Sequence, residues 1–313
     1  MLGILSVVAP VFLLIGAGFA SVRLGLFGDR EVDGILAFAT RFAIPCLLFS
    51  AVATLDLGAN FDLRFLVGFY AAATLSFALA VAAARALGRR PGESVAIGFG
   101  ALFSNSLMIG LPVMERAYGA EALAPNFALI AVHAPFCYLL GITAMEFARA
   151  DGRPLPQTLR AAGAAMFRNA LTIGIALGLA VNLTGLPLPA PVAEAAQLLG
   201  RAGLPVALVA LGGALTRYAL RSGVRESGAV AGLSLVLHPA LAWLLCGPVF
   251  DLPPEFIRAA VVTAAMPPGI NAYLFATQYG RAVDVAAASV LGATLAAVVS
   301  VTLWLAALAA VYP

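Results

Sequence analysis

The amino-acid sequence predicts an all-α integral membrane protein of ten transmembrane helices, arranged as two inverted five-helix repeats in which helices 4 and 9 are broken. Three observations predict this class: the composition, the lengths of the apolar stretches, and an offset at which the two halves resemble each other. Hydrophobic residues make up 62% of the 313 residues, and charged residues only 11%. Because a soluble domain carries roughly 25% charged residues, lipid must be the main solvent of this chain.

Ten apolar stretches have lengths close to the roughly 20 residues that a membrane-spanning helix needs. The segments between them are short, so none of them is long enough to form a soluble domain. The predicted spans are residues 4–22, 34–54, 65–86, 94–114, 124–147, 169–186, 193–215, 228–249, 257–279 and 285–311.

The positions of the basic residues predict the orientation of these spans. All 18 basic residues are arginines; thirteen lie in odd-numbered connections and three in even-numbered ones. Because positive charge accumulates in cytoplasmic loops, we expect the odd connections in the cytoplasm and both termini outside. The thirteen are Arg23, Arg30, Arg85, Arg89, Arg90, Arg149, Arg153, Arg160, Arg168, Arg217, Arg221, Arg225 and Arg281.

An internal repeat divides the chain into residues 1–163 and 164–313. At a shift of 160 residues, the segment 18–26 lies over 178–186, and Arg41-x-x-x-Pro45 lies over Arg201-x-x-x-Pro205. This shift places spans one to five over spans six to ten. Since five is odd, the second repeat must be inverted, an architecture typical of alternating-access transporters. A duplicated membrane protein without transport activity, such as a receptor, remains the alternative.

Breaks in two corresponding spans mark the predicted substrate site. Proline inside a helix removes a hydrogen bond, and free backbone groups are tolerated at membrane depth where they line a cavity or are buried in protein. A pair of Gly/Pro-interrupted spans at matched positions is a pointer to a transporter's binding site. The predicted helix-break residues are Gly110 and Pro112 in span four, and Pro267, Pro268 and Gly269 in span nine.

The chemistry of the breaks favours an anion. Half-helices that meet at the midplane present N-terminal N–H groups and a partial positive charge. Asn105 and Asn271 each donate and accept hydrogen bonds without a charge to desolvate; the alternative is that they only cap the broken ends. The candidate substrate-binding residues are Ser104, Asn105, Ser106, His133, Asn271 and Tyr273.

Other polar residues within spans have two interpretations each. Arg41 and Arg201 occupy equivalent places in spans two and seven, and either attract an anion or are structural. His133 either contacts substrate, takes a proton, or is a buried structural histidine. Neither Asp nor Glu lies at the centre of a span, and metal motifs and phosphate-binding loops are absent from the sequence. The sequence therefore predicts no enzyme activity, cofactor, metal or nucleic-acid partner.

Short motifs, in their order and spacing, resemble the auxin efflux carrier family over essentially the whole chain. They are Ile-Pro-Cys-Leu-Leu-Phe at residues 44–49, Asn-Ser-Leu-Met-Ile-Gly-Leu-Pro at 105–112, Ala-Val-His-Ala-Pro at 131–135, and Met-Pro-Pro-Gly-Ile-Asn-Ala-Tyr at 266–273. The short central loop, about residues 148–168, resembles the family's bacterial, organic-acid branch rather than the long plant type.

This resemblance implies a fold similar to that of bile-acid sodium symporters. Spans 1, 2, 6 and 7 would form a scaffold and spans 3–5 and 8–10 a mobile transport domain, with a homodimer formed through the scaffold. It also implies a permease for malonate, malate or similar carboxylates in the bacterial inner membrane. The alternatives are an exporter of auxin-like aromatic acids and a membrane sensor of organic acids. The resemblance also implies that the broken, crossing helices 4 and 9 meet near their prolines, where Asn105 and Asn271 match asparagines of the family.

Overall fold

The structure is a computed structural model that describes residues 2–148, 169–219 and 223–312. Within these ranges the chain is helical, and extended backbone pairs only in an isolated bridge between Ser104 and Pro268. The helices are α1 (Leu2–Arg23), α2 (Asp29–Ala53), α3 (Leu63–Ala86), α4 (Pro91–Leu102), α5 (Leu111–Tyr118), α6 (Ala124–Ala148), α7 (Ala170–Thr184), α8 (Ala190–Leu215), α9 (Val224–Val249), α10 (Pro254–Ala264), α11 (Ile270–Tyr279) and α12 (Val283–Val311), with a one-turn helix at Leu57–Asn60.

Seven of the described helical stretches are long and apolar enough to cross a membrane. Six of them are α1, α2, α3, α8, α9 and α12. The seventh is the stretch Ala120–Ala148, which contains α6. Helix α7 is apolar but shorter, with 15 residues. The predicted fourth and ninth spans are each interrupted, as α4–α5 and as α10–α11. The structure thus confirms an all-helical protein with several membrane-spanning helices.

Some sequence predictions fall outside the described residues. These are the arginines Arg149, Arg153, Arg160, Arg168 and Arg221, and the boundary between the two halves at residues 163–164.

Local sequence signals account for several helix ends. The Asp62 carboxylate accepts a hydrogen bond from the Arg64 amide before α3, and the Asn169 side chain accepts one from the Leu171 amide before α7. Such side chains satisfy N–H groups that have no partner within the helix. Helix α11 is followed by Gly280, whose φ of 60° is left-handed and favours glycine. These caps explain why the spans start and stop near their predicted boundaries.

The helices form two groups that pack mainly among themselves. In the first, α1 packs against α8, α8 against α2, and α2 against α7. In the second, α3 packs against α4 and α9, and α12 packs against α9 and α11. Between the groups, α1 contacts α5 and α12, and α8 contacts the π-helical turn Ser106–Gly110 at the start of α5.

Glycines allow the first group to pack at backbone distance. A Cβ on Gly18 of α1 would overlap the Val209 carbonyl oxygen of α8, and a Cβ on Gly178 of α7 would lie 2.8 Å from the Phe49 carbonyl oxygen of α2. The shift of 160 residues that relates Gly18 to Gly178 also relates Phe49 to Val209. The α1–α8 contact therefore has a counterpart in the α7–α2 contact, at equivalent positions of the two halves.

Ion pairs bring three odd-numbered connections to one end of the bundle. Arg217, after α8, bonds Asp29 at 2.9 Å and Asp33 at 2.7 Å, both at the start of α2. Arg89, before α4, bonds Glu226 at 2.6 Å in the first turn of α9. The connections that follow predicted spans one, three and seven therefore lie at the same end of the bundle. The arginine distribution predicts this, because it places the odd-numbered connections on one side of the membrane.

Arginines of α5 and α10 bind backbone carbonyls near the two ends of the chain. Arg116 near the end of α5 donates from Nε to the Val7 carbonyl at 2.9 Å and from Nη2 to the Ser6 carbonyl at 3.3 Å. The Ser6 carbonyl is available because Pro10, four residues later, has no N–H to donate to it. Arg258, near the start of α10, donates to the Tyr312 carbonyl at 2.8 Å and lies over the Tyr118 ring.

Candidate functional site

The two helix breaks meet and satisfy each other's backbone groups. The Asn105 amide donates to the Pro267 carbonyl at 2.8 Å, and the Gly269 amide donates to the Phe103 carbonyl at 3.1 Å. These two bonds flank the bridge between Ser104 and Pro268. Because consecutive prolines supply no N–H, the ninth span cannot continue as a helix. The carbonyls of Phe103 and Pro267, which follow the ends of α4 and α10, are thus paired across the crossing.

The break in the fourth span lies earlier than its glycine and proline indicate. Helix α4 ends at Leu102, and the non-helical residues are Phe103, Ser104 and Asn105. Gly110 ends the π-helical turn that follows, and Pro112 lies in the first turn of α5. Pro112 therefore lies within a helical stretch that begins at Ser106, and it does not mark the break itself.

Backbone donors remain free at the start of both second half-helices. In the described structure, the N–H groups of Leu107, Ile270 and Asn271 donate no hydrogen bond. All three residues are partly exposed. Free N–H groups at helix N-termini form a site with a partial positive charge. The crossing therefore offers hydrogen-bond donors to a ligand.

Asn105 caps the turn that leads into α5. Its Oδ1 accepts a hydrogen bond from the Met108 amide at 3.3 Å, and Gly269 lies beside its carboxamide. The side-chain oxygen of Asn105 therefore acts as a helix cap. The amino group of the same carboxamide makes no hydrogen bond to a described residue, so it remains a donor.

Asn271 lies in the first turn of α11 and is held from α6. Its Oδ1 accepts a hydrogen bond from the Tyr138 hydroxyl at 3.3 Å. Tyr138 is not among the site residues predicted from the sequence. A signal was present, since Tyr138 is a hydrogen-bonding side chain in an apolar span, five residues after His133.

His133 supports the fourth-span break from within the protein. Its Nε2 lies 3.2 Å from the Ser104 carbonyl oxygen and 3.5 Å from the Ser104 hydroxyl, and the residue is 2% exposed. A carbonyl oxygen only accepts, so Nε2 is the protonated nitrogen in this contact. His133 therefore donates to a backbone group that the break leaves without its helical partner.

The remaining predicted site residues lie in different surroundings. Ser106 is buried at the start of the π-helical turn, whereas Tyr273 packs its ring against Tyr218 at a centroid distance of 4.9 Å. Arg41 and Arg201 are both exposed, and neither guanidinium bonds another residue in the described ranges. The structure thus brings Ser104, Asn105, His133, Pro267, Pro268 and Gly269 together, with Asn271 in the adjoining turn.

Two broken helices that meet at a donor-rich centre are typical of membrane transport proteins. The chain matches the family model described as membrane transport protein over residues 4–305, and it belongs to this family, the auxin efflux carrier family. The resemblance read from the motifs is confirmed.

Relatives cover nearly the whole chain. A protein of Rhizobium meliloti (strain 1021) named "Putative malonate transporter" is 28% identical, over 96% of this chain and 95% of its own. An "Uncharacterized transporter" of Methanothermobacter thermautotrophicus is 27% identical, over 97% and 98%. The "Probable auxin efflux carrier component 5b" of Oryza sativa subsp. japonica is 24% identical, over 94% and 93%. The family and these relatives are transporters, so the chain is a transporter and not an enzyme.

Proposed function

We propose that this chain is a secondary transporter that carries small organic anions across the bacterial inner membrane by alternating access. The observation that carries the proposal is the crossing of the broken helices, where the N–H groups of Leu107, Ile270 and Asn271 are free. Backbone donors fixed at helix N-termini favour a negatively charged ligand. The carboxamides of Asn105 and Asn271 add two amino groups.

Dicarboxylates such as malonate or malate are the proposed substrates. The malonate named in the Rhizobium meliloti relative supports this choice. The rice relative's name favours an auxin-like aromatic carboxylate as the second candidate. Both ligands carry a carboxylate, so the same donors serve either. A sensor that binds these acids without moving them is the alternative outside transport.

The proposed mechanism rests on ten spans arranged as two inverted repeats of five. The equivalent glycine contacts of α1 with α8 and of α7 with α2 support this arrangement. In this arrangement the scaffold consists of α1, α2, α7 and α8, which are the predicted spans 1, 2, 6 and 7. The scaffold also joins two copies into a homodimer. Helices α3–α6 and α9–α12 form the transport domain, and both chain termini face outside. Arg41 and Arg201, exposed on scaffold helices, would attract the anion.

Uptake into proteoliposomes tests the function. Vesicles that contain the purified protein are given labelled malonate, malate or indole-acetic acid, with pH and voltage gradients imposed separately. We expect saturable uptake of a dicarboxylate, with the other dicarboxylate as competitor. Uptake of the aromatic acid alone would favour the second candidate. Binding of an acid without uptake under any gradient would favour the sensor.

A further inference from the structure

The two asparagines at the crossing differ in how their carboxamides are oriented. An asparagine side chain carries a carbonyl oxygen that accepts and an amino group that donates. A site that prefers an anion needs the amino groups turned toward the ligand. Something must therefore hold each oxygen elsewhere.

The orientation of Asn105 is set within its own turn. Its Oδ1 accepts from the Met108 amide at 3.3 Å. A backbone N–H only donates, so this contact requires the oxygen and not the amino group. The capping position thus fixes Asn105 without help from another helix.

Asn271 has no such cap of its own. The N-cap of α11 is Gly269, and Asn271 is the second residue of that helix. Its oxygen instead accepts from Tyr138, which lies 133 residues earlier in the chain. The orientation of this carboxamide therefore depends on a hydroxyl from α6.

The ring of Tyr138 is held in place by neighbouring aromatic side chains. Its centroid lies 5.5 Å from that of Phe99, 5.8 Å from that of Phe103 and 6.4 Å from that of Phe275. Phe99 and Phe275 stack at 4.0 Å. Phe275 is one helical turn after Asn271, so the side chains that enclose the tyrosine ring include one from the helix that carries the asparagine.

We propose that Tyr138 is a positioning residue that holds the Asn271 carboxamide with its amino group toward the substrate. By engaging the Asn271 oxygen, it leaves the Asn271 amino group directed at the substrate, as the Met108 amide does for Asn105. A carboxylate then meets amino groups from both half-helices and the free backbone N–H groups, whereas a cation meets no free carboxamide oxygen. This inference rests on the proposed transport of organic anions.

A double-mutant cycle on malonate binding tests the inference. Malonate affinity is measured by calorimetry for the parent, Tyr138→Phe, Asn271→Ala and the double variant, with thermal unfolding recorded for each. Tyr70→Phe is the matched control, because the buried Tyr70 hydroxyl donates to the Leu129 carbonyl at 2.8 Å and not to Asn271. Tyr138→Phe should weaken malonate binding roughly three- to tenfold, the worth of one hydrogen bond.

The cycle distinguishes an indirect role from a direct one. If Tyr138 acts through Asn271, Tyr138→Phe should have little further effect once Asn271 is alanine. Additive losses, or a loss of the same size in Tyr70→Phe, would overturn the inference. If Tyr138→Phe does not fold, Asn271→Asp replaces it: this variant keeps an acceptor for Tyr138 but directs a second oxygen at the substrate. It should keep its thermal stability and lose malonate binding, and retained binding would overturn the inference. A parent protein that binds no dicarboxylate would instead refute the proposed function, and this inference with it.

Discussion

Gly18 of α1 lies against the backbone of Val209 in α8, so that a Cβ on Gly18 would overlap the Val209 carbonyl oxygen. Because backbone atoms of two packed helices cannot move independently of their helices, Gly18→Ala should force α1 and α8 apart. We expect a loss of about 1–3 kcal/mol, as for other overpacked interiors. Thermal unfolding of the purified protein in detergent measures it.

Gly16 provides the control for this substitution. It lies in the same helix, and a Cβ at this position would meet nothing within 4 Å. Gly16→Ala should therefore leave the unfolding temperature unchanged or raise it slightly. Equal effects of the two substitutions would show that helix propensity, and not the contact with Val209, determines the outcome.

Asn105 has two roles that substitution can separate. Asn105→Ala removes the cap on Met108, which should cost about 1 kcal/mol of stability, and it also removes the free amino group. Asn105→Asp keeps a good cap, so stability should be retained, but it places a negative charge where the anion binds. Thermal unfolding and malonate affinity are the two measurements. An Asn105→Asp variant that binds malonate as tightly as the parent would show that Asn105 only caps.

We expect the effects of substituting Arg116 and Pro10 on stability to depend on each other. Arg116 binds the Ser6 carbonyl, which Pro10 leaves without a donor in α1. Arg116→Gln should reduce stability by roughly 1.5–3 kcal/mol, the range for hydrogen bonds to charged groups. In a Pro10→Ala background the restored amide satisfies the Ser6 carbonyl within α1, so Arg116→Gln should cost less. A cycle of the four variants by thermal unfolding tests this. Strictly additive effects would mean that Pro10 does not create the acceptor that Arg116 uses.

The orientation of the chain can be tested at the two ends of α3. Phe61 and Leu87 flank this helix and are similarly exposed, at 48% and 42%. In a background without Cys46, Cys137 and Cys246, a membrane-impermeant maleimide added to intact cells should label Phe61→Cys and not Leu87→Cys. This follows from the excess of arginine in the odd-numbered connections. The reverse labelling would place the termini in the cytoplasm.

Structural features that depend on residues close together in the sequence could be predicted from the sequence. Apolar length predicted the membrane-spanning helices because burial in lipid requires a continuous run of apolar side chains. Pro267 and Pro268 predicted the break in the ninth span because proline acts on the turn that contains it. In the fourth span the same reasoning placed the break too late, because backbone pairing with Pro267 and Gly269, and not Pro112, determines where α4 ends.

Relations between distant residues were decided only by the tertiary structure. The sequence predicted Asn105 and Asn271 as a pair, but it contains no information on which way a carboxamide faces. In the structure the Asn105 oxygen accepts from the Met108 amide, and the Asn271 oxygen accepts from the Tyr138 hydroxyl. His133 was a candidate for contact with substrate, and the structure adds a contact between its ring and the Ser104 carbonyl that the sequence did not indicate. Hydrogen bonds between helices depend on how the helices pack, and packing brings together residues that no local pattern in the sequence connects.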